Sequence, residues 1–313
     1  MPPSLSPQLH TPAEAAAWRR SLSPTPEAVT IVTGTFEILH PGNLSALREA
    51  ALLPGKLAVV ADADGAAPSQ AARGGAVYPL ADRLACLQFL KPVAAVLPGR
   101  PNEADALFHA LSPFAWVGCP FADDGPVAGA AIRLAARRIE IPLLPGFRTA
   151  QIGEAVRNDR TPLALPAGFL PPPVAARDRP AATVNGCFDV LHLGHYHFLA
   201  AASELAGPLT LLINSDESIR RYKGASRPIF PFPFRRAALL AMKAVAEVYA
   251  FEEDEPLTLL ARLKPPLHIK GGSREPDRVR REEELLRQWG GRVEFCPLLE
   301  GYSTTGYLGR IGA

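Results

Sequence analysis

Residues 183–199 read Thr-Val-Asn-Gly-Cys-Phe-Asp-Val-Leu-His-Leu-Gly-His-Tyr-His-Phe-Leu, and the rest of the chain is organised around them. The stretch opens as an apolar strand end, Ala182 to Val184. It breaks at Asn185-Gly186, and the pattern predicts a helix from about His195. Between strand and helix lies His192-Leu193-Gly194-His195. Two imidazoles three residues apart at a helix N-terminus suit a phosphate chain, because the free N–H groups and the positive end of the helix dipole attract an anion. Gly186 and Gly194 let the backbone approach closely. The imidazoles can donate hydrogen bonds to charge that develops during reaction. Alone, His-x-Gly-His could be a helix start with two surface histidines. Preceded by Asn-Gly-Cys-Phe-Asp at this spacing, it points to phosphate chemistry.

The segment resembles the signature of the nucleotidylyltransferase superfamily, whose members transfer a nucleoside monophosphate from a triphosphate. Further matching pieces follow in order: Ile213-Asn214-Ser215-Asp216, Tyr222-Lys223-Gly224, Arg227-Pro228, Phe251-Glu252-Glu253-Asp254, Ile269-Lys270-Gly271-Gly272 and Glu300-Gly301-Tyr302-Ser303-Thr304-Thr305. The resemblance covers about residues 181–313. It is strongest to the adenylyltransferase domain of bacterial ADP-heptose synthases. Glycerol-phosphate and phosphoethanolamine cytidylyltransferases come next.

The resemblance implies direct in-line transfer, catalysed by His192, His195 and Lys223, with Lys223 a mobile charge on a loop. Nucleotide contacts are expected from Asn185, Gly186, Cys187, Phe188, Gly194, Lys270, Ser303, Thr304 and Thr305. Asp189, Asn214, Asp216 and Arg227 are expected at the acceptor. Asp189 could equally cap the backbone of its own turn, and Lys270 could be a solvated lysine after a strand. Mg²⁺ is expected with the triphosphate, and no dedicated metal cage is visible. Leu298-Leu299-Glu300-Gly301 lacks the arginine usual in cytidylyltransferases, which favours ATP over CTP. Ser273-Arg274 departs from the acidic-aromatic pair of the heptose enzymes and leaves the acceptor open. The alternatives are a cytidylyltransferase acting on phosphoethanolamine or glycerol phosphate, and a non-catalytic nucleotide sensor.

Lys+Arg number 33 and Asp+Glu 31, a net charge of +2, which makes no electrostatic case for nucleic acid or an anionic membrane. No apolar run reaches the roughly 18–20 residues that span a bilayer. Met1 to Pro26 lacks the pattern of a signal peptide. Cys86, Cys119, Cys187 and Cys296 lie far apart, indicating neither a zinc site nor a disulfide framework, and a reducing cytoplasm is expected. Cys187 reads as a small packing residue.

Residues 29–43 repeat the central stretch in altered form. Gly186 minus Gly34, His192 minus His40, Asp216 minus Asp64, Arg235 minus Arg83 and Pro265 minus Pro113 all give 152. A fixed offset over such a length means internal duplication. Short apolar strands alternating with amphipathic helices predict, in each copy, a Rossmann-like parallel sheet with helices on both faces. The expected division is a tail at 1–27 with one short helix, a nucleotidyltransferase-like domain at 28–157, a Pro-rich linker at 158–181 and a catalytic domain at 182–313. The copies are expected to pack as a pseudo-dimer. In the first, Asn43 replaces the second histidine. Arg73-Gly74 stands for Lys223-Gly224, Val117-Gly118-Cys119-Pro120 for the lysine segment, and Arg148-Thr149-Ala150 for the Ser-Thr turn. That copy reads as a degenerate domain that has kept the fold; the alternative, which His40 and the glycine turn leave open, is that it binds a nucleotide or effector without turning it over. His197, Tyr196 and His268, outside the motif, read as packing or surface residues.

Overall fold

The computed structural model describes residues 4–66, 76–118, 126–141, 149–158, 163–164, 180–272 and 276–312. Most of the expected linker lies outside them, as do Arg73-Gly74, Cys119-Pro120, Arg148 and Ser273-Arg274. The chain divides into two compact units, Leu5–Gly153 and Glu154–Gly312.

The first unit runs α1 (Pro12–Ser21), β1 (Val29–Gly34), α2 (Pro41–Ala51), β2 (Lys56–Asp62), α3 (Leu80–Gln88), β3 (Val93–Gly99), α4 (Ala104–Leu111), β4 (Ala115–Gly118), α5 (Pro126–Leu134) and β5 (Arg137–Glu140), with α6 (Thr149–Arg157) at the boundary. The second runs β6 (Ala182–Gly186), α7 (Leu193–Ala206), β7 (Leu209–Asn214), α8 (Asp216–Lys223), α9 (Phe232–Leu240), β8 (Val245–Phe251), α10 (Leu257–Leu263), β9 (Leu267–Gly271), α11 (Pro276–Arg287), β10 (Arg292–Cys296) and α12 (Thr304–Gly312). Both sheets are parallel, in the orders β3-β2-β1-β4-β5 and β8-β7-β6-β9-β10. The central strands are apolar along their length because helices cover both faces. Ala58, Val59, Val60, Leu211, Leu212 and Ile213 are fully buried.

Three elements differ from expectation. The segment read as a tail belongs to the first unit: Leu9 and Ala15 enter its core, and Gln8 bridges to Val96. Too few apolar residues are spaced along it for the sequence to show this. Helix α7 starts at Leu193, two residues early. Lys223, expected on a loop, closes helix α8, where Ser215 caps the first turn by accepting from Ser218 N at 3.1 Å. Acidic residues open α8 and Arg220, Arg221 and Lys223 end it, so dipole and cap stabilise a short, mostly charged helix whose one buried apolar residue is Ile219.

One buried arginine shapes the carboxyl end of each sheet. Arg235 has no exposed side-chain surface and donates to Phe230 O at 3.0 Å, Cys187 O at 2.7 Å, Asn214 O at 2.9 Å and Asp216 Oδ1 at 2.7 Å. Arg83 makes the same bonds 152 residues earlier, to Tyr78 O, Thr35 O, Asp62 O and Asp64. The turn after the first strand is also shared: Phe36 and Phe188 both take left-handed backbone, with φ of 50° and 45°. Such strain persists only where surrounding bonds impose it.

Replacing Arg235 by methionine strands three carbonyls and a carboxylate. The second unit should lose about 3–5 kcal/mol of stability. Urea unfolding followed by circular dichroism measures this, and a loss below about 1 kcal/mol would refute the staple.

Candidate active site

The site of the second unit lies where β6, β7 and β9 end. Its first part is a cavity of ≈ 330 Å³. Asn185, Gly186, Cys187 and Asn214 line it from the strand ends, and Tyr222 and Lys223 from α8. Lys270 and Gly271 line it from β9, and Asp254, Glu255, Arg278 and Glu282 complete the lining.

Its second part is the mouth of α7. The His192 and His195 rings lie against each other with centroids 3.8 Å apart and planes tilted by 30°, and the backbone N–H of His192 donates to His195 Nδ1 at 3.4 Å. That bond makes Nδ1 the acceptor, so in the neutral ring the proton sits on Nε2 and His195 is a donor there. Tyr302, one residue before the Ser303 turn, stacks on His192 at 6.5 Å. A Cβ at Gly194 would stand 3.1 Å from both His192 Nδ1 and Tyr302 Cβ, so the glycine is what lets the C-terminal segment reach the histidines. Ser303 Oγ caps α12, accepting from Gly306 N at 3.1 Å, and Thr304 and Thr305 form its first turn. Phe188 joins the two parts, with its ring 5.4 Å from that of His195.

The four residues expected at the acceptor are already engaged. Asp189 is buried and accepts from Ile229 N, Phe230 N and Arg227. These bonds describe neither a contact to the acceptor nor a cap on its own turn: they tie that turn to the segment at Ile229 and Phe230. Arg227 is drawn into that pair at 2.7 Å. Asp216 takes Arg235 and Phe232 N, and Asn214 donates to Ser218 Oγ at 3.0 Å. Lys270 is no solvated lysine. It is nearly buried and paired with the fully buried Glu282 at 2.6 Å. Cys187 is half-buried rather than a core packing residue, and its thiol meets the Tyr222 hydroxyl. His268 and Tyr196 are buried, and His197 is exposed.

Glu282 and Arg278 escaped sequence reading because they lie in a charge-dense helix that looks solvent-facing. Tyr222 could have been found, since it adjoins the Lys223 motif. Among the described residues, no group of three or more His, Cys, Asp or Glu is placed to hold a metal.

The first unit keeps the shape of the turn without the second imidazole. Asn43 Oδ1 accepts from His40 N at 3.3 Å, as His195 Nδ1 does from His192 N, and His40 Nδ1 accepts from Asn43 N at 3.3 Å. Trp116, at the position of His268, covers Gly118 so closely that a side chain there would collide with the indole. Its Nε1 donates to Thr33 Oγ1 at 3.0 Å.

A parallel five-stranded sheet, a glycine turn after its central strand and paired histidines at the next helix mouth define an α/β domain of the nucleotidyltransferase class. Residues 183–296 match the model of the cytidylyltransferase-like family, and the second unit carries a domain of that family. The bifunctional protein HldE of Streptomyces coelicolor is 34% identical over 80% of this chain and 58% of its own length. That of Syntrophotalea carbinolica is 42% identical over 43% of this chain and 27% of its own. The chain thus spans at most about three-fifths of these curated relatives. Similar solved structures include the lipopolysaccharide core biosynthesis protein from Thermoplasma volcanium, with 25% identity and TM-score 0.33 over 39% of this chain and 97% of that one. No helix among the described residues is long and apolar enough to cross a membrane.

Several imidazoles are held neutral. Burial lowers His268 to about 3 and His40 to about 4. Burial, then the charge of Arg310, lowers His192 to about 4, and burial, then His192 and Lys223, pushes His195 well below its usual value. The unfolded chain takes up protons near the ordinary 6.5, where the native chain does not. Stability from these groups is therefore full above about pH 6.5 and is lost as pH falls toward 4 and 3. The thermal midpoint should drop steadily on acidification from pH 7 to pH 5. His268→Asn, which keeps a partner for Thr183 Oγ1, now 2.8 Å from the ring, should flatten that slope. An unchanged slope would remove His268 from the account.

Proposed function

We propose that the second unit is a nucleotidylyltransferase that moves a nucleoside monophosphate, from ATP in preference to CTP, onto a phosphorylated acceptor such as a sugar 1-phosphate. The observation that carries the reading is the close His192–His195 pair at the mouth of α7, with Lys223 near enough to depress His195. The family match and the HldE relatives support the class of reaction.

An acceptor phosphate oxygen attacks the α-phosphorus. The new P–O bond forms as the bond to the β-phosphate oxygen breaks, and pyrophosphate leaves with that electron pair. No protein nucleophile is required, so catalysis consists of positioning and of stabilising charge on the oxygens. His195 Nε2–H and His192 donate to the phosphate oxygens. Their low proton affinity leaves them neutral before substrate binds, and the triphosphate's negative charge raises it. Lys223 adds a point charge from the end of α8. The Gly186–Phe188 turn and the N-terminus of α12 supply backbone N–H groups and the Ser303 and Thr304 hydroxyls. Mg²⁺ would travel on the triphosphate's own oxygens and offset their charge.

Pyrophosphate release, measured with each of four nucleoside triphosphates and a panel of sugar and alcohol phosphates, tests the reading. Turnover should be highest with ATP and a sugar 1-phosphate, and no pair exceeding a His192→Ala control would sink it. His195→Asn copies what the first unit already tolerates at Asn43. It should leave the urea midpoint nearly unchanged while turnover falls about a hundredfold or more.

A further inference from the structure

Lys270 Nζ lies 2.7 and 2.6 Å from the two carboxylate oxygens of Glu282, and both residues line the cavity. Burying opposite charges costs several kcal/mol of desolvation, and such pairs can usually be replaced by apolar residues without loss of stability. The first unit has made that replacement. Val32 pairs with Val117 as Val184 pairs with Ile269, so position 118 is the equivalent of 270, and it is glycine. The facing helix α5 contains no acidic residue, and its buried positions are Val127, Ala128, Ala130 and Ala131. Strand order, the staple arginine and the left-handed phenylalanine are all retained there. The fold therefore stands without the pair.

We propose that Lys270, held in place by the buried Glu282, donates to a ring hydroxyl of a sugar moiety entering the cavity, either the ribose of the nucleotide or a sugar of the acceptor. The choice of ligands rests on the nucleotidyl-transfer reading above. An ammonium has three N–H donors and the carboxylate takes two, which leaves one for a ligand. A neutral hydroxyl can accept that N–H beside a pair whose charges already cancel, while Glu282, with no exposed side-chain surface, holds the ammonium in place. A phosphate only accepts, and Glu282 opposes its charge. The other acidic residues of the cavity are charge-compensated as well, Glu255 by Arg281 and Asp254 by Arg221. Phosphates are left to Lys223 and the glycine turn.

The test uses the full chain and equilibrium binding by calorimetry, so it needs no turnover. ATP is compared with 2′-deoxy- and 3′-deoxy-ATP, and a hexose 1-phosphate with its deoxy analogues. Loss of the read hydroxyl should weaken binding to the parent protein about tenfold. In Lys270→Met/Glu282→Leu that penalty should vanish, with the thermal midpoint shifted by no more than a few degrees. A penalty confined to ATP places the ribose at the pair, and one confined to the sugar phosphate places the acceptor there. Deoxy analogues that bind the parent as well as their hydroxylated forms, a parent that binds neither ligand class, or a penalty that survives in the double variant would each overturn the proposal. The parent comparison decides even if the double variant folds poorly. Hydroxyl discrimination without pyrophosphate release would sink the transfer reaction and leave this inference standing. Release without discrimination would do the reverse.

Discussion

The geometry of each unit depends on a guanidinium that has no contact with water. A buried arginine is tolerable only when its donors are matched, and Arg235 matches them to carbonyls from the two strand ends and a helix start, with Asp216 carrying the countercharge. Three segments that would otherwise be independent loops are fixed in one arrangement. The glycine turn, the start of α8 and the start of α9 are thereby held around a common opening. Asp189 does the same for the segment at Ile229 and Phe230. The polar residues nearest the opening are thus divided between those that build its rim and those left to face a ligand.

Much of this was legible in the sequence because it is periodic or local. Apolar runs marked the central strands, and the constant 152-residue offset marked the duplication and even the two arginines, though not what they bind. His192, Gly194 and His195 were found because turn, glycine and helix start lie within a few residues of each other. What stayed hidden depends on chain segments far apart in sequence. Asp189 reads as a free carboxylate until Ile229 and Arg227 arrive some forty residues later. Glu282 sits in a run of arginines and glutamates that looks solvated throughout, and only β9 reveals which of them is buried. Helix α8 was missed because it is short and almost wholly polar, with Ile219 its one buried apolar residue and with a cap and charges at its ends.

The two units separate what a fold requires from what a site requires. Both keep the sheet order, the staple and the strained turn. Asparagine can stand in for the second histidine because its Oδ1 accepts the same backbone N–H as the imidazole Nδ1. What the substitution gives up is the donor on the far side of the ring. The capping bond is a folding feature, and the free Nε2–H is a chemical one.

Trp116 and Gly118 are sterically coupled in the first unit. A side chain placed at 118 collides with the indole, and shrinking the indole first leaves a hole in a packed interior, at about 3–5 kcal/mol. Either change alone gives a less stable protein, while the two together need not. Positions 116 and 118 are therefore one choice rather than two: a side chain such as lysine fits at 118 only if the ring at 116 is given up with it.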